Sequence, residues 1–254
     1  MEEPVVEAKD LEVGYEGRTV LKDISFSVAH GEIFIILGGS GCGKSTLLKH
    51  VIGLYKPFKG DVLIHGESMV KADENEKRRM MKGFGVTYQG GALFGSLTVG
   101  ENVSLVLEEH TDFPKEKIDE IVDEKLKLVE MDKFRDYMPS EISGGMRKRA
   151  GIARAMALEP KLLFFDEPSA GLDPIMSAEL DRLILDLSEK SGATMVIVTH
   201  ELDSIFTIAD RVIMLDRESK TIVAEGKPQA LLENPPSKWV KEFLTRSGLK
   251  REKL

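Results

Sequence analysis

From Asp23 to Val28 the apolar residues Ile24, Phe26 and Val28 alternate with Asp23, Ser25 and Ser27, the two-residue period of a strand with one face in water. Such alternation predicts an antiparallel strand. The next run, Glu32 to Leu37, is apolar at every position after Glu32, as expected of a parallel strand covered on both faces. Leu162 to Phe165 and Met195 to Val198 have the same character. Long stretches of helical pattern separate these runs, so the chain predicts a doubly wound α/β core. Shorter strands are expected at Asp61 to Ile64 and at Arg211 to Leu215. Between Pro114 and Met131 the period changes: Ile118, Ile121, Val122, Leu126 and Val129 recur every three or four residues among lysines and acids, an amphipathic helix. A second helix is expected from about Met146 to Leu158, stopping before Pro160. Residues from about 98 to 159 therefore read as a helical subdomain inserted into a single domain spanning 1–240, followed by a short extension, 241–254. Trp239, Val240, Phe243 and Leu244 follow Pro235-Pro236 at helical spacing and read as a packing helix in preference to a partner-binding arm.

With 254 residues and 42% hydrophobic content the chain can bury a sizeable core. Its net charge of −8 leaves no basic footprint, so no nucleic-acid partner is expected. No apolar run approaches the roughly 20 residues that span a bilayer. Met1-Glu2-Glu3-Pro4 shows neither a basic nor an apolar leader, and the single cysteine, Cys42, suits a reducing compartment. A cytoplasmic location is the expectation.

Gly38-Gly39-Ser40-Gly41-Cys42-Gly43-Lys44-Ser45 fits G-x-x-x-x-G-K-[ST] and lies between the strand ending at Leu37 and a helical pattern carrying Leu47, Leu48, Val51 and Ile52. Glycines let backbone N–H groups converge on phosphate oxygens, and the helix start points its positive dipole end at the same anion. Lys44 is then expected to reach the β and γ phosphates of ATP and Ser45 to give its hydroxyl to Mg²⁺, with Thr46 next in the same nucleotide-binding segment. Cys42 sits near the helix N-terminus, a position that lowers a thiol's pKa, yet reads as a small tolerated side chain rather than a redox group.

Asp166 and Glu167 directly follow the apolar run Leu162 to Phe165, which puts two carboxylates at the C-terminal end of a buried parallel strand. Asp166 is suited to the Mg²⁺ shell and Glu167 to polarising the attacking water as general base. Thr199-His200 ends another apolar strand at the same edge, and the imidazole is expected to hydrogen-bond the γ phosphate while fixing water and base. Gln89, after Val86-Thr87-Tyr88, offers an amide to Mg²⁺ or to the lytic water. Tyr15 reads either as an adenine-stacking ring or as an ordinary packing residue. The chemistry these groups imply together is hydrolysis of the terminal phosphate of Mg·ATP by a P-loop NTPase.

Ser143-Gly144-Gly145-Met146 opens a helix, with the phosphate loop upstream and the Asp-Glu strand downstream. In that arrangement nearly the whole chain resembles the ATP-binding cassette (ABC) superfamily. The resemblance implies a RecA-like α/β core with an antiparallel β subdomain and an inserted α-helical subdomain. It implies that Tyr15 stacks on adenine, that Gln89 is the Q-loop and Ser143 to Met146 the signature, that Ser169-Ala170-Gly171-Leu172-Asp173 is the D-loop region, and that His200 is the switch histidine. The family's signature usually has Gln where Met146 stands, which removes a polar side chain but leaves Ser143 and the Gly144 and Gly145 backbone donors. With one complete set of motifs, the chain is expected to pair with itself head to tail around two ATP.

Gln89 to Phe94, Leu97 to Val103, Met138 to Met146 and Phe165 to Pro174 are further similar to the Mla/Mce-type lipid-transport ATPases. That likeness implies an ATPase pair beneath an integral-membrane permease dimer, peripheral on the cytoplasmic face of an inner membrane, with phospholipid as cargo. It implies an Mce-domain lipid-binding protein beyond the permease and, in some members, a small regulatory subunit. Residues 90–105, directly after the Q-loop, are expected to line the groove that receives the permease. The competing readings are the ATPase of another ABC importer or exporter, a soluble non-transport ABC protein, and a small-molecule kinase, which has no use for the Ser-Gly-Gly segment.

Overall fold

The computed structural model describes residues 3–246. In chain order these form β1 (Val6–Tyr15), β2 (Arg18–Val28), β3 (Ile33–Gly38), α1 (Lys44–Val51), β4 (Lys59–Ile64), β5 (Glu67–Ser68), α2 (Glu74–Lys82) and β6 (Phe84–Thr87). The helices α3 (Val99–His110), α4 (Lys115–Leu128) and α5 (Gly144–Ala155) come next. The chain then alternates through β7 (Leu162–Asp166), α6 (Pro174–Ser191), β8 (Thr194–Thr199), α7 (Leu202–Ile208), β9 (Arg211–Leu215) and β10 (Ile222–Gly226), and ends in α8 (Pro228–Glu233) and α9 (Lys238–Thr245). Among the described residues, an antiparallel sheet runs in the order β2-β1-β4-β5, and a six-stranded sheet in the order β10-β9-β3-β8-β7-β6. The second sheet is parallel except for β10 at its edge.

The unbroken apolar runs follow from two cores, one on each face of the parallel sheet. Ile33, Ile35, Leu37, Leu163, Phe165, Met195 and Ile197 face the core that holds the helical insertion. Phe34, Ile36, Leu162, Phe164, Val196 and Val198 face the core shared with α1 and the antiparallel sheet. Phe34, Phe164 and Phe165 are fully buried, each worth about 1.5–3 kcal/mol relative to exposure.

The alternation at 23–28 is the second half of β2; its partner β1 escapes pattern reading. The β1–β2 ladder shifts between Ala8 and Leu11 and between Leu11 and Val13, and Asp10 sits at φ 46°. The buried residues Val6, Ala8, Leu11 and Val13 therefore lose the two-residue period. Tyr15 is the last residue of this strand, and Glu16 and Gly17, both at positive φ, turn the chain into β2 as a tight hairpin requires.

Between β6 and β7 lie α3, α4 and α5. Thr98 and Glu101 cap α3 reciprocally. Val99, Val103 and Leu107 of α3, with Ile118, Val122 and Leu126 of α4, pack with Ala150, Ile152 and Ala153 of α5 in the first core. Helix α5 starts earlier than its apolar spacing suggests, because the Ser143 hydroxyl accepts from the Met146 N–H and so caps the helix at Gly144; its other end falls at Ala155, three residues before the expected Leu158. Helix α9 runs through residue 240 and buries Val240 and Leu244 in the first core. Residues 247–254 of the expected extension, like Met1 and Glu2, lie outside the described residues. Among the described residues no helix is long and apolar enough to cross a membrane.

Strands β3, β8 and β7 are neighbours, and their carboxyl ends bring Gly38, Thr199 and Asp166 to one edge. In parallel sheets that edge is where ligands are met.

Candidate active site

Strand β3 ends at Gly38, in register with Leu215 of β9. A methyl group there would lie 2.6 Å from Cys42 Sγ and 2.6 Å from the Leu215 carbonyl oxygen, so the loop begins with a residue that must lack a side chain. Gly41 and Gly43, at φ 74° and 107°, take the backbone conformation that glycine alone adopts freely. No side chain caps α1, which leaves the N–H groups of its first turn to an anion. Lys44, only 6% exposed, donates from Nζ to the carbonyls of Gly38 at 3.0 Å and Gly39 at 3.3 Å and lies 3.5 Å from Glu167 Oε1.

The Ser45 hydroxyl donates to Asp166 Oδ1 at 2.8 Å. Burial pushes the Asp166 carboxyl above its ordinary range, against the Ser45 hydroxyl, which holds it down; the neighbouring Glu167 adds to the rise. These two oxygens form a hard donor pair, and among the described residues no three His, Cys, Asp or Glu side chains gather into a metal cage. Such a set fits Mg²⁺, which takes one or two protein oxygens and completes its shell with phosphate and water.

Glu167 is 9% exposed, and its Oε2 accepts from Nδ1 of the exposed His200 ring at 2.8 Å. Its carboxylate is thus held at one oxygen by imidazole and at the other by Lys44. The backbone of Glu167 has φ 51°, a left-handed conformation that costs a residue with a side chain about 1–3 kcal/mol. Two contacts hold it there. Its N–H donates to the Val198 carbonyl at 2.8 Å, and its carbonyl accepts from Lys148 Nζ of α5 at 3.3 Å. Lys148, 8% exposed, also donates to the carbonyls of Pro168 at 2.6 Å and Ala170 at 2.7 Å. Burial pushes its ammonium below the usual range and Glu167 draws it back up.

The structure thus brings Lys44, Ser45, Asp166, Glu167 and His200 together. Thr87 pairs with Phe165, so Gln89 leaves the sheet beside the Asp166-Glu167 end, exposed on a turn. Tyr15, 54% exposed, stands at the hairpin end. Ser143 caps α5, and Asp173 caps α6 by accepting from the N–H groups of Ile175 at 3.0 Å and Met176 at 3.1 Å. Among the described residues no hydrogen bond joins either to the Lys44 and Glu167 group. Gly144 is exposed, Met146 is half-buried, and Gly145 is buried where a methyl would come 2.9 Å from Met176 Cε. Cys42 corrects one expectation: its thiol pKa is raised by burial, which outweighs the Lys44 ammonium and the helix start.

Sequence reading missed the polar ties of α5 and α3. Arg154 donates to the carbonyls of Ala92 at 2.7 Å and Gly91 at 3.0 Å. Fully buried Asn102 accepts from the Phe94 N–H at 2.7 Å, and its amide nitrogen, with two N–H groups shared among three acceptors, lies 3.1, 3.2 and 2.9 Å from the carbonyls of Phe94, Leu97 and Thr98 in the loop after Gln89. The available signal was the basic run Arg147-Lys148-Arg149 on a helix that turns two of those residues inward.

Residues 21–170 match the family model described as "ABC transporter". Over 239 residues the chain is 40% identical to the probable ribonucleotide transport ATP-binding protein mkl of Mycobacterium leprae (strain TN), covering 94% of this chain and 68% of that protein. It is 39% identical over 240 residues to the intermembrane phospholipid transport system ATP-binding protein MlaF of Escherichia coli (strain K12), covering 94% of this chain and 88% of that one. The dimeric post-hydrolysis state of the ATP-binding cassette MJ0796 bound to ADP and Pi superposes with a TM-score of 0.80 at 30% identity, over 87% of this chain and 98% of that one.

Proposed function

This chain belongs to the ABC transporter family as an ATP-binding, ATP-hydrolysing subunit, and from that premise we propose that it drives phospholipid transport between membranes. The observation that carries the hydrolytic half of this reading is the Glu167 carboxylate, held between His200 Nδ1 at 2.8 Å and Lys44 Nζ at 3.5 Å. The cargo half is supported by 39% identity across 88% of a relative whose name specifies phospholipid.

In this reading the loop from Gly38 to Gly43 and the start of α1, through Thr46, cradle the phosphates of ATP, and Lys44 exchanges its carbonyl partners for the β and γ oxygens. Ser45, Gln89 and Asp166 would hold Mg²⁺, which when bound would neutralise charge on the phosphates. Glu167 takes the proton of the attacking water, with His200 aiming one carboxylate oxygen and Lys44 the other. Tyr15 stacks on adenine. A second copy, paired head to tail, presents Ser143, Gly144, Gly145 and Met146 to the far end of the nucleotide and Asp173 beside it; the dimeric state of MJ0796 supports pairing of two cassettes. The motor sits peripherally on the cytoplasmic face of an inner membrane, under a permease dimer, with an Mce-domain protein in the same complex and, as in some members of the subgroup, room for a small regulatory subunit. Phe94, 54% exposed on a loop whose backbone Asn102 holds at the Phe94 N–H, supports residues 90–105 as the permease contact.

A second cargo is favoured by one observation, the name of the mkl relative, which specifies ribonucleotide transport. The two readings part on what travels with the chain. Purified from its own membranes in mild detergent, it is expected to bring an integral-membrane permease, an Mce-domain protein and phospholipid identified by mass spectrometry. A complex that holds nucleotide cargo and no lipid overturns the phospholipid reading. ATPase activity that stays at full rate in dilute monomer overturns the homodimer.

A further inference from the structure

We propose that Lys148 is a positioning residue that ties the catalytic base of one ATP site to the signature helix serving the other site. The inference rests on the reading of Glu167 as base and of Ser143 to Met146 as the segment that closes over a partner's nucleotide.

Lys148 lies one turn inside α5, whose first residues are that segment. Its Nζ donates to three backbone carbonyls, of Glu167, Pro168 and Ala170, which belong to the loop leaving the left-handed Glu167. An ammonium has three N–H donors for these three acceptors; a glutamine amide has two and a methionine none. The match is one of number as well as place, in a position that water scarcely reaches. The same helix is joined to α6 by the close approach of Gly145 to Met176 and by Arg149 Nη2 donating to Glu179 at 3.3 Å. At its other end Arg154 holds the turn at Gly91 and Ala92. Any displacement of α5 is therefore passed to the peptide units that set the direction of the Glu167 side chain. In the dimer, α5 is displaced when this chain's own signature meets the partner's nucleotide. Glu167 of the same chain serves the opposite nucleotide, so Lys148 lets one occupied site adjust the base of its twin.

The test uses K148M and K148R in the full chain assembled with its membrane complex, with E167Q as reference. K148M is expected to lower kcat by roughly 10- to 100-fold, the loss typical of a misplaced reacting group. KM and ATP affinity, the latter measured in the E167Q background, are expected to stay within about twofold. The Hill coefficient for ATP is expected to exceed one in the wild type and to fall to near one in K148M, and K148R is expected to restore most of the rate. Equal kcat or equal Hill coefficients in wild type and K148M overturn the proposal, as does a parallel loss of ATP binding, which marks a merely structural lysine. If E167Q itself keeps its ATPase, the base assignment fails and this inference with it; an inactive E167Q beside an unaffected K148M removes this inference alone.

Discussion

Replacing His200 by alanine separates aiming the base from being the base. The substitution removes the Nδ1 donor 2.8 Å from Glu167 Oε2 and leaves a carboxylate that is 9% exposed. Losing a donor to a buried charged group costs about 1–3 kcal/mol, and since the His200 ring is itself exposed, water can refill part of the gap. A loss of about 1–2 kcal/mol is the expectation, which corresponds to a fall in kcat of roughly 5- to 30-fold. The freed carboxylate also has one remaining partner, Lys44 Nζ at 3.5 Å. At an effective dielectric of about 20 their attraction is roughly 5 kcal/mol before desolvation, enough to pull Glu167 toward the lysine and make it compete with phosphate. KM for ATP should therefore rise a few-fold in H200A. Glu167→Gln should lower kcat further, by roughly 10²- to 10⁴-fold, but shift binding the other way: ATP is held at least as tightly and the dimer is trapped. The assay pairs steady-state phosphate release with nucleotide titration and light scattering. An H200A enzyme with wild-type kcat and KM, beside an inactive E167Q, would refute the idea that the ring aims the base.

Two further expectations follow from exposure. Because burial raises its pKa, Cys42 should react slowly with a bulky maleimide, ATP should protect it, and the alkylated protein should lose nucleotide binding; full ATP affinity after complete alkylation contradicts this. A glutamate at Leu93 or Phe94 should uncouple transport, read as lipid transfer in proteoliposomes, while sparing ATP binding; normal transport by both variants removes the permease contact from this loop.

The parts of the fold legible in the sequence are those whose burial is simplest. β3, β7 and β8 are buried at every position and so leave unbroken apolar runs. β1 hides behind its register shifts, and α2 buries Met80 alone, so its nine residues show polarity and little else. Lys44, Ser45, Asp166, Glu167 and His200 are legible because each stands within a few residues of the end of a recognisable strand. Lys148 is not, because its partners are backbone carbonyls, which every residue carries and no sequence records. Cys42 was open to two opposed effects, helix start and burial, and only the packing around it decides that burial wins.

The ties of buried Asn102 to the backbone of Phe94, Leu97 and Thr98 have a thermodynamic meaning for whatever covers Phe94. A ring displayed on a floppy segment must surrender its freedom when it docks, and that lost entropy is subtracted from the affinity. Here the mount was stiffened during folding, so a visiting helix would find the aromatic already in place and keep nearly all of the contact energy.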